Sequence, residues 1–142
     1  MALAACFVVV AGACSGGAPE LPSCVGDPLT TESGVRVQDL ECGTGRVAES
    51  GTSLSVNYVG RLANGEVFDS AYREGEPFPF ALGAGQVIQG WDEGLEGMRE
   101  NGIRRLVIPP ELGYGADGAP TADIPPNATL EYEVELVEVR EL

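Results

Sequence analysis

The sequence predicts an α+β domain in which a curved antiparallel β-sheet wraps over one short α-helix, and three observations lead there. Apolar and polar residues alternate with period two along much of the chain, most plainly where Leu130, Tyr132, Val134 and Leu136 interleave with Glu131, Glu133 and Glu135. Only one stretch, carrying Trp91, Leu95 and Met98, repeats its apolar residues at helical spacing. Turn signals such as Asn64-Gly65 separate the alternating segments, which suits antiparallel neighbours.

Taken in order, Val35 to Leu40 and Leu54 to Arg61 read as strands. In the second, Leu54, Val56 and Tyr58 share one face, and Ser53, Ser55 and Asn57 share the other. Ala63-Asn64-Gly65-Glu66 makes a hairpin turn, because Asn-Gly accepts the positive φ angles such turns need, and it leads into Val67-Phe68-Asp69. Phe78, Phe80 and Leu82 alternate in a further strand. Gly83-Ala84-Gly85 is a turn before a helix that opens near Gln89, turns Asp92, Glu93 and Glu96 to solvent and ends at Asn101-Gly102. Ile103 to Ile108 resumes strand until Pro109-Pro110, since proline cannot donate to a ladder. From Glu111 to Asn127 glycine and proline recur without periodicity, which at this length in a compact domain marks a functional loop. A sheet curling over a single helix leaves an apolar concavity between the two.

The 142 residues suffice for one domain with a short extension. The chain has no histidine, and all eight of its basic residues are arginine. That inventory removes Ser-His and Cys-His relays, His-bound metals, lysine Schiff bases and a P-loop lysine, so neither a metal nor another cofactor is implied. A formal net charge of −14 repels phosphate backbones and anionic lipid headgroups. Nucleic acid is therefore not an expected partner, and membrane attachment would have to be through a lipid rather than through charge.

Leu3 to Ala13 is almost wholly apolar, too short to span a bilayer, and ends in small residues before Cys14. With its box Ala11-Gly12-Ala13-Cys14 it resembles a bacterial lipoprotein signal, although Ala11 stands where Leu or Val is usual and no basic residue precedes the run. That resemblance implies a signal peptide at 1–13, lipidation of Cys14, a flexible tether at 14–30 and a domain at 31–142, on the outer side of a bacterial membrane. The alternative is an ordinary secretory signal and a secreted protein. Cys24 and Cys42 lie outside the signal and form an even pair, which in an exported chain points to a disulfide, two unpaired thiols being the alternative.

Between Tyr58 and Tyr132 the aromatic and branched residues form an ordered series that reads as a lined pocket. Its stations are Val56-Asn57-Tyr58-Val59-Gly60, Gly65-Glu66-Val67-Phe68-Asp69-Ser70, Pro77-Phe78-Pro79-Phe80, Gln86-Val87-Ile88-Gln89-Gly90-Trp91, Gly113-Tyr114-Gly115-Ala116 and Ile124-Pro125-Pro126-Asn127-Ala128-Thr129-Leu130. In this order the segments resemble an FKBP-type peptidyl-prolyl cis-trans isomerase over roughly Thr31 to Leu142. The resemblance implies Trp91 as the pocket floor under a proline ring, with Tyr58, Phe78, Val87, Ile88 and Tyr132 as walls. It also implies that the Ile88 amide and the Tyr114 hydroxyl hold substrate carbonyls and that Asp69, hydrogen-bonded toward Tyr58, sits near the twisting amide. Phe68 and Ile124 would line the side that meets the residue before proline. Tyr58, Asp69 and Tyr114 are thus the catalytic candidates. Phe80 reads as plain core.

Three positions depart from the family's pattern: Tyr132 stands where Phe is usual, Glu74 where an Arg commonly reaches toward the Asp69 carboxylate, and Ala119 where many members have a loop His. Arg73, next to Glu74, is a candidate substitute. The implied activity is proline isomerisation during the folding of exported polypeptides, by a monomer whose partners are proline-containing chains and macrolide-type inhibitors. The alternative is a proline-recognising or chaperone-like binding module without significant turnover.

Overall fold

The computed structural model describes residues 26–142 apart from Glu74 and the side chain of Arg73. The expected signal at 1–13, the tether as far as residue 25, Cys14, Cys24 and the Glu74 and Arg73 side chains therefore lie outside the described residues. The chain runs through β1 (Leu29–Thr30), β2 (Arg36–Cys42), β3 (Thr52–Leu62), β4 (Val67–Ser70), β5 (Phe78–Ala81), α1 (Gln89–Gly94), β6 (Gly102–Ile108) and β7 (Leu130–Glu141). All seven strands join one curved antiparallel sheet in the order β1-β2-β6-β7-β3-β4, with β5 also paired to β3. The sheet begins earlier than the sequence suggests. Leu29 and Thr30, expected in the tether, pair with Val37 and Arg36, so backbone hydrogen bonding fixes residues whose composition reads as linker.

The long strand β3 organises the site. One of its edges pairs with β7 throughout, while the other is divided, Ser53 to Val56 pairing with β5 and Val59 to Arg61 with β4. Alternation holds along β7 until Leu136, where a bulge intervenes: Leu136 faces Val56 but Glu138 faces Ser55. The extra residue, Val137, is turned outward at 39% exposure, and the buried face resumes at Val139. A second bulge in the β3–β4 pair lies between Gly60 and Arg61, which face Asp69 and Val67, leaving Phe68 as the additional residue.

The helix is shorter than its apolar spacing suggests. It stops at Gly94, and Gly97 takes φ +86°, outside the right-handed helical region, so the chain turns back before Asn101. Leu95 and Met98 still reach the core, from the turn rather than from helix. The helix lies close against β6, because a Cβ on Gly90 would meet Ile108 Cγ2 at 2.5 Å and one on Gly94 would meet Leu106 Cδ2 at 2.8 Å. At its end, Arg104 Nη1 donates to the carbonyls of Gly94 (2.9 Å) and Glu96 (3.1 Å). The same guanidinium binds Asp39 through Nε (2.7 Å) and Nη2 (3.2 Å). One buried arginine thus satisfies helix-terminal acceptors and joins them to β2. Cys42, at the end of β2, is disulfide-bonded, and its partner, like Cys24, lies outside the described residues.

Candidate active site

Trp91 sits in the first turns of α1 and is held against the concave face of the sheet. Its indole meets the rings of Tyr58 (5.0 Å between centroids) and Tyr132 (5.1 Å) edge-on at 83° each, with Phe78 and Phe80 closing the third side. Above it opens a cavity of about 250 Å³ lined by Trp91, Tyr58, Phe78, Val87, Ile88 and Tyr132, with Asp69, Gln86 and Tyr114 contributing polar groups. Trp91 is 4% exposed, so the floor is nearly dry, and its Nε1 has no hydrogen-bond partner among the described residues. A buried unpaired N–H costs on the order of 1–3 kcal/mol, which is tolerated here at the floor of the cavity.

The loop carrying Val87 and Ile88 is fixed from below. Asp92, expected in solvent, is instead turned onto the preceding turn, its carboxylate accepting the Gly83 amide at 2.9 Å and the Gly85 amide at 3.2 Å. Gln86 Oε1 accepts the Ala81 amide at 3.0 Å. Ile88 precedes the helix with ψ 150°, and its carbonyl accepts the amides of Trp91 and Asp92. Its own amide has no partner among the described residues, which leaves a backbone donor for a ligand carbonyl.

Across the cavity, Tyr58 donates its hydroxyl to Asp69 Oδ2 at 2.6 Å, and Asp69 Oδ1 accepts the Ser70 amide at 2.8 Å. Asp69 is exposed at the mouth rather than desolvated among the rings, since β4 alternates and turns Val67 and Asp69 outward while Phe68 and Ser70 face inward. Gly60 allows the inner side of this pair to close, since a Cβ there would lie 2.7 Å from Phe68 Cζ and 2.8 Å from Tyr132 Cε1. The Tyr114 ring stands at the rim, 40% exposed. Burial, and secondarily the charge of Asp69, raises its phenol above the ordinary tyrosine range, so it remains a donor. Burial also pushes the Tyr132 phenol far up, with Tyr114, Tyr58 and Asp69 adding to the effect.

The expected functional loop is built from three short 3-10 turns, Pro110–Leu112, Gly115–Asp117 and Pro120–Ala122. Ala119, where the resemblance leads one to look for a histidine, exchanges backbone hydrogen bonds with Ile124. The structure therefore gathers Tyr58, Asp69, Phe78, Val87, Ile88, Trp91, Tyr114 and Tyr132 around one cavity. Phe68 and Ile124 are not among its lining residues. Phe68 packs its ring edge-on against Tyr132 at 5.6 Å, and Ile124 is 3% exposed within the core. Gln86 is a lining residue absent from the sequence-based candidates, although its motif was singled out. Among the described residues no group of three or more His, Cys, Asp or Glu could hold a metal ion. What the arrangement offers is an apolar slot, the Ile88 amide and Tyr114 hydroxyl as donors, and a carboxylate at the mouth, a set suited to binding and reshaping an amide without covalent chemistry.

The family model described as FKBP-type peptidyl-prolyl cis-trans isomerase matches residues 44–137. An FK506-binding protein of Neisseria meningitidis serogroup B is 51% identical over 108 residues, which cover 76% of this chain and 98% of that protein. Among solved structures, the crystal structure of FkpA from Escherichia coli is similar with TM-score 0.73 and 43% identity, over 80% of this chain and 52% of that one. The crystal structure of AtFKBP13 is similar with TM-score 0.72 and 39% identity, over 79% of this chain and 98% of that one.

Proposed function

This chain belongs to the FKBP-type peptidyl-prolyl cis-trans isomerase family, and from that premise we propose that its Trp91-floored cavity turns X-Pro bonds in exported polypeptides while a lipid on Cys14 holds the domain at a membrane. Rotation about such a bond must break amide resonance, at a barrier of ~18–20 kcal/mol. The planar amide is a strong dipole that water solvates well, whereas the twisted amide has lost resonance and separates less charge. A dry slot between Trp91, Tyr58, Phe78 and Tyr132 accordingly favours the twisted form over the planar one. Each ~1.4 kcal/mol of that preference is tenfold in rate, so a few kcal/mol gives roughly a thousandfold. The Ile88 amide and the Tyr114 hydroxyl hold the substrate's carbonyls, and Asp69 stands at the mouth beside the rotating bond.

The single observation that carries this mechanism is the convergence on Trp91 of four aromatic rings beneath an open cavity. A protease-free isomerisation assay on short X-Pro peptides tests it, with acceleration expected and a rate equal to the uncatalysed one across a panel of X residues overturning it. The relatives' name, FK506-binding protein, supports a further reading in which FK506-type macrolides occupy the same cavity and compete with peptide. The apolar run ending at Cys14 supports the lipid anchor and an extracytoplasmic location, with the domain acting as a monomer. Cys14→Ser is expected to release the protein from membranes or block its maturation, and mass spectrometry finding an unmodified Cys14 in the mature chain would rule the anchor out.

A further inference from the structure

A second cleft, of about 390 Å³, adjoins the Trp91 cavity and shares Tyr58, Asp69 and Phe78 with it. Its outer wall is Glu76 and Pro77, on the segment leading into β5, together with Pro79 within β5. The chemistry of this wall differs from that of the floor over Trp91. Phe78 and Tyr58 present aromatic surface at a T-shaped 6.2 Å, two prolines extend that surface, and two carboxylates, Asp69 and Glu76, face it. Asp69 is occupied by the Tyr58 hydroxyl and the Ser70 amide, whereas Glu76 is exposed and has no hydrogen bond or ion pair among the described residues. No cation is among the described residues lining either cavity.

Resting on the isomerase reading, we propose that this cleft is a subsite for an arginine or lysine side chain of the substrate, adjacent to the isomerised proline, with Glu76 as its specificity-determining residue. Consecutive residues of an extended peptide are about 3.8 Å apart at Cα, so a chain with its prolyl ring over Trp91 brings a neighbour's long stem within reach of Phe78 and Glu76. The aliphatic stem packs on the proline and aromatic surface, the cationic head meets the carboxylates, and the ring faces attract the same charge. An acidic neighbour at that position meets two like charges and is disfavoured.

The test uses the full chain and X-Pro peptides that carry Arg, its uncharged counterpart Gln, or Glu on either side of the X-Pro pair. At low salt the Arg peptide should exceed the Gln peptide in kcat/KM by about fivefold, the order expected of a partly exposed ion pair with a stacked cation. Glu76→Gln should reduce that ratio to below about twofold, and salt should reduce it in the wild type as screening shortens the reach of the charges. Because a chain of net charge −14 attracts cations everywhere, Glu49→Gln serves as the control, removing one exposed carboxylate from the turn before β3, outside the cleft. A ratio unchanged by Glu76→Gln, or reduced as much by Glu49→Gln, overturns the subsite. Trp91 is the chain's only tryptophan, so its fluorescence gives Kd values for the same peptides. If no peptide were turned over, the isomerase reading would fall while the Kd ratio still decided the subsite.

Discussion

Tyr58 and Asp69 are joined by a 2.6 Å hydrogen bond that crosses from β3 to β4 at the mouth of the cavity. The bond depends on the pairing of Asp69 with Gly60, two residues along from Tyr58, and on the bulge that makes Phe68 the extra residue of β4. Because Asp69 is exposed and also accepts the Ser70 amide, its carboxylate contributes more to placing the Tyr58 ring than to holding the fold.

Tyr58→Phe is therefore expected to lower kcat/KM by a few-fold, the scale of one lost hydrogen bond, and Asp69→Val by about tenfold. Both variants should unfold cooperatively with nearly unchanged midpoints. Isomerisation rates together with thermal melts check this, and full turnover by Asp69→Val would move the chemistry away from the carboxylate.

Trp91 is both floor and core, and its substitutions separate the two roles. Removing the indole leaves a void beneath Tyr58 and Tyr132, so Trp91→Ala should cost about 3–5 kcal/mol in urea unfolding along with most of the activity. Trp91→Phe keeps ring contacts and should retain the fold with a smaller loss of turnover. Equal stability for the two variants would mean that the indole is not buried as described.

Arg104 supports the site without touching it. Arg104→Met would strand the Asp39 carboxylate and two acceptors at the end of α1, a loss of about 2–3 kcal/mol for breaking a part-buried, charge-assisted pair from one side. Repeating the substitution in an Asp39→Asn background should cost clearly less. Additive losses in that double-mutant cycle would show that the pair is not coupled.

Glu100 sets an acid limit on stability. Its carboxylate accepts the amides of Val139 (2.7 Å) and Arg46 (3.1 Å), bonds that lower its pKa in the folded chain, the Val139 bond most. A lowered folded pKa means that the contribution is complete above the unfolded value, roughly 4.3, and is lost as pH falls through the lower folded value. Glu100→Gln should be less stable than wild type at neutral pH, with the difference narrowing below about pH 4. Denaturant melts between neutral and acid pH read this directly, and a difference that widened in acid would contradict it.

The sequence disclosed what depends on local pattern and concealed what depends on distant partners. The alternation of Leu54, Val56 and Tyr58, or of Leu130 through Leu136, is imposed by the pleat and is visible without a structure. Val137 and Val139 break that rhythm, since the bulge arises only when β7 meets β3. The spacing of Leu95 and Met98 from Trp91 suits a helix, yet it serves a turn with Gly97 at its bend. Asp92 and Arg104 look like surface charges in one dimension, because nothing local reveals the amides of Gly83 and Gly85 or the helix-end carbonyls that bind them. Most of the cavity was legible because a recurring motif order carries it. The outward position of Asp69 follows the same alternation, with Phe68 and Ser70 turned inward on either side of it.

Strand β1 closes one margin of the sheet, while β4 and β5 close the other. Residues entering β1 thus meet the domain on the side away from the Tyr58–Asp69 mouth. A pull on the chain before residue 26 enters the domain on that side, through the disulfide at Cys42 on β2 as well as the two residue pairs of β1 with β2. The domain has a handle and a working edge at opposite margins. Load applied at the first meets β6 and β7 before it reaches the second.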